Sequence, residues 1–217
     1  MTEEKPGGDA GLFVCRQGVL NRSMRIHPAG FAFGALMASM IVCGSASAQT
    51  ESRIAALIPI LTPQLGNKAC YSRAYDAAHL KTHPKQRITA MTFLLSVGAY
   101  DPRPEGATKP EELYYYAFAM SVSRRGDKKL LRTSGDCNSG EGILCAVDCD
   151  GGSVTLDKAP QANTLIVRLN NETGITMFHD CDESKGAVVV KAGADDKVFR
   201  LDKVEAGACR SLEDDEK

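Results

Sequence analysis

His79 and His83 are four residues apart, the spacing that places two imidazoles on one face of a helix. In metal hydrolases this spacing is written H-E-x-x-H, and the glutamate beside the first histidine is the general base. Here Leu80 holds that position, and Pro84 ends any helix at His83. A third ligand would have to come from His179, in the polar run His179-Asp180-Cys181-Asp182-Glu183. The balance favours a turn cap and a solvated acidic loop, and no metal is expected. A metal-dependent hydrolase using His79, His83 and His179 stays as a minor alternative. Asp148 and Asp150, followed by two glycines, fall short of a calcium loop because the carboxylate series is incomplete. The sequence has no G-x-S-x-G elbow and neither glycine-rich phosphate signature. No catalytic residue and no cofactor are expected, so the chain reads as a non-enzyme.

Binding chemistry is the next possibility. In Tyr114-Tyr115-Tyr116 strand alternation sends the outer two to one face with Phe118 and Met120, which is core packing. Tyr115 points the other way, among Ala117, Ala119 and Ser121. With His79 and His83 it completes the set of candidate binding residues. Arg124-Arg125 and Lys128-Lys129 flank a turn and read as a solvated hairpin tip. The charges, 26 Lys+Arg against 27 Asp+Glu, exclude the basic field of a nucleic-acid binder.

The cysteines depend on compartment. Residues 24–48, MRIHPAGFAFGALMASMIVCGSASA, give the basic start, short apolar run and A-x-A end of a secretory signal peptide, with cleavage between Ala48 and Gln49. The apolar run is too short for a spanning helix. Residues 1–23 read as a polar extension upstream of a true start at Met24. Residues 49–217 are expected to form one domain, periplasmic or secreted, with no integral membrane segment. Six cysteines fall in it: Cys70, Cys137, Cys145, Cys149, Cys181 and Cys209. An even six in an exported chain most simply makes three disulfides. Cys145 and Cys149, roughly 13 Å apart if extended, need different partners. The pairing expected is Cys137–Cys145 across a hairpin, Cys149–Cys181, and Cys70–Cys209 between the ends of the domain.

The elements that carry these residues are almost all strands. A short N-terminal helix or arm, Glu51 to Leu61, presents Ile54, Leu57, Ile58 and Leu61 to the fold. A brief helix follows Asp76 as N-cap, through roughly Thr82. Arg87–Val97 then alternates, with Thr89, Met91, Phe93, Leu95 and Val97 on one face. Leu113–Arg124 alternates likewise, and shorter runs follow to Leu201, separated by Gly, Asn and Asp turns. The tail from Glu213 is expected to fray. Eight or nine strands at this spacing predict an antiparallel up-and-down barrel or barrel-like sandwich.

Three stretches, CYSRAYDAAHLKTHPKQ (70–86), CAVDCDGG (145–152) and DDKVFRLDKVEAGAC (195–209), resemble a group of small exported bacterial proteins of unassigned activity. The strand count is also loosely similar to calycin-type barrels, which include lipid carriers and periplasmic inhibitors of lysozyme or proteases. The resemblance implies a single exported domain and carries no catalytic residue. The functional expectation is a non-catalytic β-barrel that binds a small ligand or envelope component at the barrel mouth. The alternative is an inhibitor of a hydrolase acting through an exposed loop, Asp101–Pro110 or Asn138–Gly142.

Overall fold

The computed structural model describes residues 52–159, 163–177 and 187–216. Its strands are β1 (Lys68–Ala74), β2 (Ile88–Ala99), β3 (Tyr114–Arg124), β4 (Leu131–Ser139), β5 (Ile143–Ala146), β6 (Ser153–Lys158), β7 (Thr164–Leu169), β8 (Ile175–Met177), β9 (Val188–Val190) and β10 (Val198–Val204). β1 to β7 pair with their sequence neighbours, and β10 closes the ring between β7 and β1. The result is an eight-stranded antiparallel barrel, with β8 and β9 as a separate two-stranded ribbon. Closure leaves the barrel no free edge for another strand to join.

Alternation builds the wall. Met91, Phe93, Leu95 and Val97 of β2 lie opposite Val122, Met120, Phe118 and Tyr116 of β3. These eight side chains belong to one buried cluster with Leu156, Val167 and Leu201 of the far wall. Phe93 and Phe118 stack at 5.5 Å. Gly135 of β4 makes this possible, since a Cβ there would come within 2.1 Å of the Ala146 carbonyl oxygen and 3.0 Å of the Phe118 ring. Strict alternation placed Thr89 on the inner face, and the structure corrects this. A bulge between Ile88 and Ala90 shifts the register, so Ile88 and Met91 are both buried.

Small residues on the outer face of β3 also have a partner. A C-terminal 3-10 helix (Ala206–Glu216) lays Cys209 and Leu212 against Leu94 and Ala119. The Cys70–Cys209 disulfide, Cα atoms 5.8 Å apart, fastens it to β1. The tail therefore continues as helical turns past Glu213, whose carboxylate lies 3.5 Å from the Lys68 ammonium.

Both barrel ends are closed. At one, the N-terminal segment is a turn-rich arm in place of a regular helix, and it inserts Ile54 and Leu57 into the barrel cluster. The arm is held by Ser139, which donates its backbone N–H to the Arg53 carbonyl and its hydroxyl to that of Ser52. The Tyr116 hydroxyl donates to the Leu61 carbonyl. At the other end Ile175, Met177 and Val190 of the β8–β9 ribbon cover the cluster. Among the described residues no helix is long and apolar enough to cross a membrane.

Candidate functional site

The β1–β2 connection carries the histidines. Asp76 caps α1 (Ala77–Thr82) by accepting from the His79 backbone N–H at 2.7 Å. The chain turns at His83-Pro84, where α1 stops. Tyr75 precedes the cap, so Tyr75, His79 and His83 recur every four residues and share one face. Their rings form a column: Tyr75 to His79 at 4.6 Å and His79 to His83 at 4.1 Å, the two imidazoles within 13° of parallel.

Hydrogen bonding fixes both imidazoles. Gln86 Nε2 donates to the Ile88 carbonyl at 2.7 Å, which turns Gln86 Oε1 toward His79 Nε2 at 2.9 Å. An amide oxygen only accepts, so His79 carries its proton on Nε2. His83 Nδ1 lies 2.9 Å from the His79 carbonyl and 3.0 Å from Thr82 Oγ1. That hydroxyl spends its hydrogen on the same carbonyl at 2.8 Å. His83 is therefore protonated on Nδ1, and its Nε2 is left as a hydrogen-bond acceptor.

This column is one wall of a pocket of about 250 Å³. The opposite wall is the start of β10 with the turn before it, including Asp195, Phe199 and Arg200. Two carboxylates join the walls. Asp195 accepts from the Lys85 N–H at 3.0 Å. Asp196, only 3% exposed, accepts from the Arg87 N–H at 2.7 Å and the Ile88 N–H at 3.2 Å. From the β3–β4 turn, the Arg125 guanidinium donates to the Leu80 and His83 carbonyls at 3.1 and 3.4 Å, bracing the end of α1. Arg73 and Arg200 share Asp202, at 2.8 and 3.6 Å, so two cations face one carboxylate. Burial pushes the Tyr75 phenol up, with Arg73 opposing the shift, and Tyr75 stays a neutral ring.

The pocket can grip a small molecule by the edges of the stacked rings, a hydrogen-bond acceptor at His83 and guanidinium donors. It cannot hold a metal between the two histidines as they stand. Each imidazole binds a cation in its own ring plane at about 2.0–2.1 Å, and rings stacked at 4.1 Å have planes that do not meet at one ion. Among the described residues no group of three or more His, Cys, Asp or Glu is placed to hold a metal.

The other predicted residues lie elsewhere. Tyr115 is on the outer wall, its ring over Gly98 of β2 and 5.4 Å from Tyr100. A side chain at Gly98 would collide with that ring at 2.1 Å, so Tyr115 fills the space the glycine leaves. It takes no part in the histidine pocket. Cys137–Cys145 bridges directly opposed residues of β4 and β5, Cα atoms 4.0 Å apart. Cys149 is also disulfide-bonded. His179, Cys181, the signal segment with Ala48 and Gln49, and residues 1–23 lie outside the described residues.

The sequence reading missed Gln86, Phe199, Arg200 and Asp196. Asp195-Asp196 looked like turn chemistry, and no local pattern links residue 196 to Arg87. Nonetheless every residue lining the pocket falls in the stretches 70–86 and 195–209. No protein-family model, no curated protein and no solved structure matches the chain.

Proposed function

We propose that the chain is a non-catalytic binding protein of the periplasm or the extracellular space. Its ligand is a small molecule, free or part of an envelope component, held in the Tyr75–His79–His83 pocket. The ligand presents a donor hydrogen to His83 Nε2 and acceptor oxygens to Arg200. The carrying observation is the imidazole column with both tautomers set by protein hydrogen bonds, which leaves one acceptor at a pocket wall. A site organised before the ligand arrives loses less freedom on binding. The filled interior and closed ends favour a site on the rim over one in a lumen. Export rests on the signal-like segment, and the disulfides are compatible with an oxidising compartment.

The test is a fragment screen by NMR on protein with labelled histidine and methyl groups. Binders should move the His79 and His83 ring signals saturably, and His83→Ala should abolish the effect. A screen in which no compound moves these rings would overturn the reading.

A second reading keeps its own support. The β4–β5 hairpin, clamped by Cys137–Cys145, ends in Gly140-Glu141-Gly142 beside the exposed Leu144. A cross-linked hairpin is ordered before contact and suits insertion into a protein cleft, as in an inhibitor of a hydrolase. Of the two loops considered, Asn138–Gly142 is the one with a clamp.

A further inference from the structure

At the end of the barrel closed by the arm there is a second pocket, of about 220 Å³, that the reading above does not use. Its floor is apolar, with Pro59 and Ile60 from the arm and Leu165 from β7. Polar residues line the rest: Asn163 and Thr164, and the three groups of interest, the Tyr71 hydroxyl and the Lys158 and Lys203 ammonium groups. Alternation explains the lysines. Lys158 continues the inward series of Val154 and Leu156, and Lys203 that of Phe199 and Leu201. Both strands end there, so positions that would otherwise enter the core reach the rim. Tyr71 lies directly opposite Lys203 in the β1–β10 register.

None of these three groups has a partner among the described residues. The neighbouring carboxylates are committed elsewhere, Asp157 to Arg168 at 2.6 Å and Asp202 to Arg73. Tyr71 is only 5% exposed overall, but no protein group accepts its hydroxyl proton and the hydroxyl opens to the pocket. With no protein acceptor, a hydroxyl and two ammonium groups that open to one pocket bond to water until a ligand displaces it and supplies their acceptor. The supplier must accept hydrogen bonds and oppose two positive charges. It must also offer an apolar part to Ile60 and Leu165.

We propose that this pocket is a second binding site, for a small organic oxyanion carrying a short apolar group. The anion sits between Lys158, Lys203 and the Tyr71 hydroxyl, and the apolar part lies on Ile60, Pro59 and Leu165. A carboxylate and a phosphate monoester share this chemistry. The volume equals about seven waters at about 30 Å³ each, room for an oxyanion with a short carbon chain. Because the arm forms the floor, an occupant bridges it to the barrel wall and stabilises both.

The experiment is an NMR titration of the whole mature protein, methyl-labelled, with sodium butyrate and separately with inorganic phosphate, at ionic strength held constant with chloride. Thermal unfolding is followed in parallel. Saturable movement of the Ile60 and Leu165 methyl signals with either probe upholds the site, and the stronger probe tells a carboxylate from a phosphate source. Tyr71→Phe, which keeps the packed ring, should weaken the better probe about tenfold. The exposed pair Lys158→Gln with Lys203→Gln should weaken it further. If neither probe saturates, or if Tyr71→Phe and the double variant bind as the native chain does, the proposal is wrong. The histidine pocket is at the opposite end, so these results do not depend on it.

Discussion

Replacing Leu57 by alanine tests whether the arm is part of the core or a loose leader. Leu57 is fully buried and Ile54 nearly so, both within the barrel cluster, whereas Ile58 on the same arm is 39% exposed. Burying a leucine side chain is worth about 1.5–3 kcal/mol by area, and Leu→Ala in a rigid core costs about 2–5 kcal/mol once the cavity is counted. The arm is held at Ser139 and Tyr116 but has solvent on its outer side, so it can settle partly into the space. That places Leu57→Ala in the lower half of the range, about 2–3 kcal/mol. Ile58→Ala should stay within about 0.5 kcal/mol. At about 2–4 °C per kcal/mol for a domain of this size, the first substitution lowers Tm by roughly 4–12 °C. Urea unfolding followed by far-UV circular dichroism gives both numbers, with an unchanged m-value showing that the same surface is exposed. Equal stabilities for Leu57→Ala and Ile58→Ala would refute the seated arm.

Other consequences can be measured in the same way. Burial pushes the Tyr116 phenol up to about 12, against about 10 in the unfolded chain. Below pH 10 both states hold the proton and nothing changes. Between 10 and 12 only the unfolded chain loses it, so stability falls by at most about 1.4 kcal/mol per pH unit from this group. Urea titrations across that window should show a shallower loss in Tyr116→Phe. The two located disulfides should rank by loop length: 139 residues for Cys70–Cys209 and 8 for Cys137–Cys145. Chain entropy gives about 5 and about 2.5 kcal/mol respectively, so Cys70→Ser with Cys209→Ser should lower the urea midpoint more than Cys137→Ser with Cys145→Ser. Asp196→Ala leaves the Arg87 and Ile88 N–H groups without their acceptor, at about 1–3 kcal/mol for the buried Ile88 group and less for Arg87, which water can reach. Asp196→Asn, which keeps one acceptor oxygen, should fall between Asp196→Ala and the native chain in thermal unfolding.

Much of the barrel was legible because β2 and β3 are long and strictly alternating, so inner and outer faces could be read residue by residue. Small residues opposite the tyrosines signalled close packing, and the 3-10 helix is what packs there. The bulge at Ile88 was not legible, because it depends on pairing with β3. Lys128-Lys129 belongs to the turn, where Asp127 accepts from the Lys129 N–H at 2.9 Å, and the strand runs from Leu131 through Ser139. Asn138 and Ser139, read as the start of an exposed loop, are strand, held in register by β5. At the candidate site, Asp76, His79 and His83 were visible as a capped turn of helix. Their stacking and tautomers depend on Gln86, and the opposite wall comes from residues more than a hundred positions away. Local pattern carries no record of either.

His79 and His83 form a fixed column with His83 Nε2 as its open acceptor. Long-range proton–nitrogen correlation spectra of the imidazoles in the neutral rings read this directly. His79 is expected to be protonated on Nε2 and His83 on Nδ1, with Gln86→Ala releasing the His79 tautomer. His83 protonated on Nε2, or both rings averaging between tautomers in the native chain, would contradict it.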